Sequence, residues 1–409
     1  MDQENSNLDK TEKTLKLALN HHNTWRAECL NMIASESFLW DENAGSSKYI
    51  DLSRRAVLGV PGTRYSEGSK YIDEIETITN DLIKRAFNSK FSEWRPTSAS
   101  LADGILLHAL TSVNDNLLAT PSPLGHPTWH ENGYAGFRGL RITDIPYEWE
   151  TLEIDYEKLG ALIDEERFSL IVEGSSLVLF PPDFRRLRNV AKDRPVWYDG
   201  AHVMGLILGG EFPNPVEYGI DALSGSTQKT LAGPLGGIIV TNRQDISDAV
   251  KQRTSNDMAT PDYSRYVSLS FVLLNWKKKG RDFAKKIVGN AKSLAEELND
   301  MGMKLLLEER GFTSTHQIGL LAPTGMKAAD ASRLLAESNI ISTPFPIPTS
   351  NGGTREVIRM GVTELTQMGA VEADMHKAAK AIVQSFRDGD EARKIVREVV
   401  LELQGRTPI

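Results

Sequence analysis

One lysine, Lys229, stands in the run Ser224-Gly225-Ser226-Thr227-Gln228-Lys229-Thr230, among small and hydroxylic residues. The turn Gly233-Pro234-Leu235-Gly236-Gly237 follows, and then Ile238-Ile239-Val240, an apolar run that reads as a short buried strand. Burial penalises an ammonium, and a Schiff base with a carbonyl removes that charge. The hydroxyls of Ser224, Ser226, Thr227 and Thr230 are candidates to hold a phosphate or a ring oxygen beside it. Taken alone, the window fits an exposed loop lysine equally well.

Asp199 alters that balance. It ends the apolar run Pro195-Val196-Trp197-Tyr198 and precedes Gly200-Ala201-His202. A carboxylate at the C-terminal end of a parallel strand faces the ligand crevice of an α/β sheet. Pyridoxal 5'-phosphate needs such an acid to keep its ring nitrogen protonated, so that the ring can draw in electrons. Asp199 precedes Lys229 by thirty positions, room for a crossover unit of ordinary length. The alternative for Asp199 is a turn or helix N-cap.

The elements that must position these groups follow from the pattern. The first ten residues are expected without fixed structure, and a helix is expected from Lys10 to Cys29. Ile72 to Phe87 has apolar residues at helical spacing. Leu101 to Leu110 is a second such helix, so Ser98-Ala99-Ser100 stands at its N-terminus, where free amides favour a phosphate; serine capping is the simpler reading. Leu117–Ala119 and Leu170–Val172 read as strands. From Gly280 onward, Phe283, Ile287, Ala291, Leu294, Leu298 and Met301 fill one face of a long helix. Strands at Ile318–Leu321 and Val357–Met360 and helices from Ala370 and Glu391 complete a smaller unit. The expected fold class is α/β, with a mostly parallel central sheet. Its expected divisions are an arm over 1–45, a large domain over 46–280, and a bridging helix with a small α/β domain over 281–409.

The 409 residues are 40% hydrophobic and 25% charged, with a formal net charge of -8. The acidic balance argues against nucleic acid as a partner. No apolar run has the length of a membrane span. Cys29 is the only cysteine, which excludes an intrachain disulfide and, with a polar N-terminus, makes the cytoplasm the expected location.

Several segments together resemble the serine hydroxymethyltransferase family of fold-type-I pyridoxal-phosphate enzymes. They are Asn31-Met32-Ile33-Ala34-Ser35-Glu36-Ser37, Gly62-Thr63-Arg64-Tyr65, Ser98-Ala99-Ser100, Asp199-Gly200-Ala201-His202, Thr227-Gln228-Lys229-Thr230 and Ile358-Arg359-Met360-Gly361. Trp94-Arg95-Pro96, Gly280-Arg281-Asp282-Phe283 and Gly311-Phe312-Thr313-Ser314-Thr315-His316-Gln317 look closer to the L-threonine transaldolase branch. The resemblance implies the fold-type-I architecture and a homodimer or larger homo-oligomer. It implies that Ser98, Ala99, Ser100, Ser226, Thr227 and Gln228 surround the cofactor, with Thr260 in a loop lent by a neighbouring subunit. Ser176 falls near the cofactor's phenolic oxygen, and either His126 or His130 stacks on its ring. His202 lies near cofactor and substrate, Arg359 and Ser35 hold the substrate carboxylate, and Tyr65 is a substrate-binding residue. No metal ligand set is expected.

Departures from the family pattern bear on the reaction. Where the folate-dependent enzymes carry Tyr-x-Glu, this chain reads Ala56-Val57-Leu58, and leucine moves no proton. Ser66, Gln228 and Leu235 replace a tyrosine, a histidine and an arginine. Glu67 is nearby but does not match the missing position. The expected function is therefore folate-independent aldol cleavage or transfer on a β-hydroxy-α-amino acid, with an aldehyde acceptor. The alternatives are an O2-using oxidative decarboxylase of an amino acid, a serine hydroxymethyltransferase, and a non-enzymatic protein with a decayed site.

Overall fold

The computed structural model describes residues 2–41, 51–258 and 260–407, with side chains from residue 13 onward. The expected arm boundary at 45 and Ala259 of the 256–261 loop lie outside the described residues.

Seven strands form the central sheet: β1 (Phe91–Glu93), β2 (Asn116–Ala119), β3 (Arg141–Asp144), β4 (Leu170–Glu173), β5 (Val196–Asp199), β6 (Ala222–Ser226) and β7 (Gly237–Thr241). Their order across the sheet is β1-β7-β6-β5-β4-β2-β3. Neighbours from β3 to β6 are parallel, while β7 runs antiparallel to both β6 and β1. The middle strands β4 to β7 are buried along their whole length, as expected where helices cover both faces.

Alternation along each strand assigns the faces. Leu170, Val172, Trp197, Ala222 and Ile239 join one cluster with Ala102, Ile105 and Leu106 of helix α3 (Ala99–Leu110). Ile171, Tyr198, Leu223, Ile238 and Val240 point the other way into the main core. Helices α4 (Tyr156–Glu165) and α5 (Phe184–Ala191) contribute Leu159, Phe184 and Leu187 to that core.

A second, three-stranded antiparallel sheet has the order β8 (Gln317–Leu321), β10 (Val357–Gly361), β9 (Thr343–Pro344). The segment after the N-terminal helix α1 (Asp2–Ala27) docks onto it: Gly361 N–H donates to the Met32 carbonyl at 2.8 Å. A Cβ on Gly361 would stand 2.6 Å from Ala34 Cα, so the absent side chain permits this approach.

Two expectations need correction. The helix at the N-terminus begins at Asp2, not near Lys10; the first residues include no glycine or proline, and their acids suit a helix start. The long helix, here α8, begins at Tyr263 rather than Gly280 and continues to Asp300. Gly280 is an interior position where the helix closes on α6 (Met204–Gly209): a Cβ on Gly209 would lie 2.1 Å from Ala284 Cβ and 3.0 Å from the Gly280 carbonyl oxygen. The glycine that suggested a start marks a close helix contact instead.

Candidate active site

Lys229 follows the buried end of β6, and its loop is clamped by backbone bonds. Ser37 Oγ donates to the carbonyls of Gln228 and Lys229, at 2.5 and 2.8 Å. Trp40 N–H donates to Ala232 O at 2.7 Å, and Trp276 Nε1 to Leu231 O at 2.8 Å. Thr230 Oγ1 donates to the His202 carbonyl at 2.8 Å and accepts from Gly205 N–H at 3.1 Å. The lysine loop and the loop after Asp199 are thereby one structure. By surface area Lys229 is half-buried, yet desolvation is the first cause of a pKa that falls from 10.5 to about 8. Asp199 and Asp103 oppose the fall, and Arg359 adds to it.

Asp199 ends β5 beside Ser224 of β6 and accepts from Ala201 N–H at 2.8 Å. Burial raises the pKa of its carboxyl despite the pull of Lys229. A carboxylate so desolvated is stabilised by a cationic partner such as a protonated ring nitrogen. Asp103 of α3 adds a second buried acid: Ser224 Oγ donates to its Oδ1 at 2.9 Å, and its Oδ2 has no partner among the described residues. Burial and then Asp199 push its pKa well up. A lone acid in Leu101-Ala102-Asp103-Gly104-Ile105-Leu106-Leu107 was the signal for it in the sequence.

The hydroxyl run divides. Ser224 sits between Trp197 Nε1, which donates to it at 2.8 Å, and Asp103. Thr227 gives its proton to the Pro234 carbonyl, and Thr230 is spent on His202. All three hydroxyls give their protons to the protein's own groups. Ser226 is buried, and Gln228 keeps a buried Oε1 without partner among the described residues. Ser98 caps α3, its Oγ accepting from Leu101 N–H at 3.1 Å, so Ala99 and Ser100 form the first turn with outward amides.

The two histidines left open by the sequence separate. His126 is in the field of Lys229, and burial with that charge lowers its pKa to about 4. His130 also neighbours Trp129, with ring centroids 6.4 Å apart, and its charge surroundings are Asp144 and Glu131. His202 is buried, its pKa depressed by desolvation and by Lys229, Arg359, His316 and His126 in that order.

Arg359, on β10, donates from Nη1 to the Ser176 carbonyl at 2.6 Å and stands 5.1 Å from the Phe345 ring centroid. Its Nε is buried without a partner among the described residues, and desolvation lowers its pKa to about 10. A buried guanidinium lacking an acid is suited to a carboxylate brought by a ligand. Ser35 is half-buried next to Ala34, whose carbonyl lies 3.1 Å from His316 Nε2. Tyr65 is 85% exposed and Thr260 is exposed, so within one chain neither lines this site. Leu58, Ser66 and Glu67 share that exposed surface.

His316 and Gln317, quoted in the sequence only within the Gly311–Gln317 segment, were given no role there. Gln317 Nε2 lies 3.0 Å from His202 Nδ1, and the His202 and His316 rings stack with centroids 6.0 Å apart. A histidine and an amide opening an otherwise apolar strand were the signal available.

These groups fit pyridoxal phosphate: a depressed lysine feels both a buried acid at a strand end and an arginine whose Nε has no partner among the described residues, and the first turn of α3 offers free amides. Among the described residues no cluster of potential metal ligands occurs, and no helix is long and apolar enough to cross a membrane. The family pattern described as serine hydroxymethyltransferase matches residues 8–382. A curated serine hydroxymethyltransferase from Methanothermobacter marburgensis is 34% identical over 400 residues, covering 96% of this chain and 94% of that protein. One from Pyrobaculum aerophilum is 34% identical over 399 residues, covering 95% and 91%. In fold, the chain is similar to the crystal structure of the L-threonine transaldolase from Pseudomonas fluorescens, with a TM-score of 0.85, 24% identity, and coverage of 99% and 93%. With the pattern spanning most of its length and relatives this similar end to end, the chain belongs to the pyridoxal-phosphate-dependent serine hydroxymethyltransferase family.

Proposed function

We propose that this enzyme carries out folate-independent aldol cleavage and transfer, making or breaking the Cα–Cβ bond of a β-hydroxy-α-amino acid such as threonine. The observation that carries the reading is Leu58, which stands where the folate-dependent relatives place the glutamate that moves protons. The likeness in fold to a protein named L-threonine transaldolase supports it. A second reading, serine hydroxymethyltransferase, is favoured by the names of the curated relatives.

Bound at this site, pyridoxal phosphate supplies an electron-withdrawing ring that weakens the bonds at Cα. Lys229 anchors the cofactor's aldehyde, its low pKa leaving a useful fraction of the amine neutral near pH 8. Asp199 holds the proton of the ring nitrogen. The amides of Ala99 and Ser100, with Ser226 and Gln228, would hold the phosphate. Ser176 would be the residue beside the phenolic oxygen, and His126 the one that would stack on the ring. Arg359, with Ser35, grips the α-carboxylate through the guanidinium edge that lacks an internal partner. In this reading, Tyr65 and Thr260 complete the site of a second copy, so the working unit is at least a homodimer.

Incubation with L-threonine and a second aldehyde, without tetrahydrofolate, is expected to release acetaldehyde and form a new β-hydroxy-α-amino acid. Acetaldehyde release absent under these conditions, with methylene-tetrahydrofolate formed from serine, selects the second reading.

A further inference from the structure

Gln317, the first residue of β8, touches two histidines of the site, and its orientation is fixed from outside. Val178 N–H donates to Gln317 Oε1 at 2.9 Å. A backbone N–H only donates, so this amide oxygen must be the acceptor and the amide nitrogen must face His202. Gln317 Nε2 lies 3.0 Å from His202 Nδ1. An amide NH2 only donates, so Nδ1 must carry a lone pair.

From these bonds we infer that Gln317 is a positioning residue that holds His202 as a neutral imidazole protonated at Nε2, a hydrogen-bond donor toward the cofactor and substrate. In that state His202 cannot take a proton at Nε2. Protonation at Nδ1 would set two donors against each other. Burial and the neighbouring cations act in the same direction: desolvation first, then Lys229 and Arg359, disfavour a charged ring.

The segment before Gln317 holds it in register. Thr315 Oγ1 donates to the Val178 carbonyl at 2.5 Å, and Ser314 N–H to the Leu179 carbonyl at 2.8 Å. Thr315 Oγ1 also accepts from Gln317 N–H at 3.2 Å. Val178 is thus bound on both sides of its residue, by Gln317 at its N–H and by Thr315 at its carbonyl. The proton position on a histidine of the central sheet's loop is set from the second sheet.

The inference rests on the reading of this pocket as the cofactor site, and the test separates the two. Holoenzyme labelled with 15N-histidine is examined by solid-state NMR near neutral pH, with His202→Asn assigning the signal. The expected result is a neutral ring with its proton on Nε2 and a hydrogen-bonded, unprotonated Nδ1. Gln317→Leu removes the hydrogen-bond shift at Nδ1. Gln317→Glu moves the proton to Nδ1 and lowers kcat about 10- to 100-fold, the usual scale for a residue that orients another, with KM for the amino acid little changed. A wild-type His202 protonated at Nδ1, or Gln317→Glu with an unaltered ring signal, overturns the inference. Borohydride trapping on Lys229 in the same preparation tests the cofactor reading separately, because the bond between Gln317 and His202 lies within the protein.

Discussion

Arg359 gives one hydrogen to the Ser176 carbonyl at 2.6 Å and has a buried Nε with no partner among the described residues. The bond to Ser176 aims the guanidinium, and in the proposed function the remaining edge takes the substrate carboxylate. Arg359→Lys keeps the charge but loses the planar fork. It is expected to raise KM for the amino acid so that kcat/KM falls on the order of 10- to 100-fold, equivalent to about 1.5–3 kcal/mol for a hydrogen bond to a charged group. Steady-state kinetics over a range of amino acid concentrations check this.

Lys229 has a pKa of about 8 rather than 10.5. Only the neutral amine attacks an aldehyde, so cofactor uptake by the apoenzyme is expected to accelerate as pH rises to about 8 and then level off. Visible absorbance in a stopped-flow series follows it. Lys229→Ala leaves no borohydride-stable adduct on that peptide.

His316 is fully buried, and desolvation brings its pKa to about 3. Its folded value lies below the 6.5 of an unfolded histidine, so the unfolded chain binds the extra proton first. Stability is therefore lost as pH falls below 6.5, by on the order of 2 kcal/mol for this one group between pH 6.5 and 5. Urea midpoints at those two pH values measure the loss, and His316→Asn is expected to flatten the slope.

Gly205 packs under the lysine loop, where a Cβ would come within 2.2 Å of the Thr230 carbonyl oxygen and 2.8 Å of the Trp276 ring. Backbone cannot yield as a flexible side chain does. Gly205→Ala is expected to destabilise the protein by about 1–3 kcal/mol, the usual cost of overpacking. It should also blue-shift or weaken the cofactor absorbance, because Gly205 N–H bonds Thr230, next to Lys229.

Much of this arrangement is legible in the sequence because it is local. Asp199 ends an apolar run that can only be a buried strand, and Lys229 precedes another. The Ser98-Ala99-Ser100 turn opens a helix that is apolar on nearly every side. What is not legible is set by contacts across long separations. The difference between His126 and His130 depends on distant charges: Lys229 acts on the first, Asp144 on the second. The role of Gln317 depends on Val178, 139 residues away in the chain. Gly280 misleads because a glycine at a helix start and a glycine at a helix crossing look the same in one dimension. The partners of the Ser224 and Thr230 hydroxyls are equally hidden, since nothing nearby in sequence reveals that Asp103 and the His202 carbonyl will claim them.

Helix α8 has 38 residues and extends roughly 57 Å at 1.5 Å per residue. Its first half supplies Trp276 to the lysine loop, and its second half bonds through Asn290 to Thr366 and Ala370 beyond the arginine strand. In the proposed reading, a single rod thus fastens the seat of the coenzyme to the clamp for the amino acid. Bending it at one turn would misalign both ends together, so lesions far from any reacting atom should impair anchoring and grip in proportion.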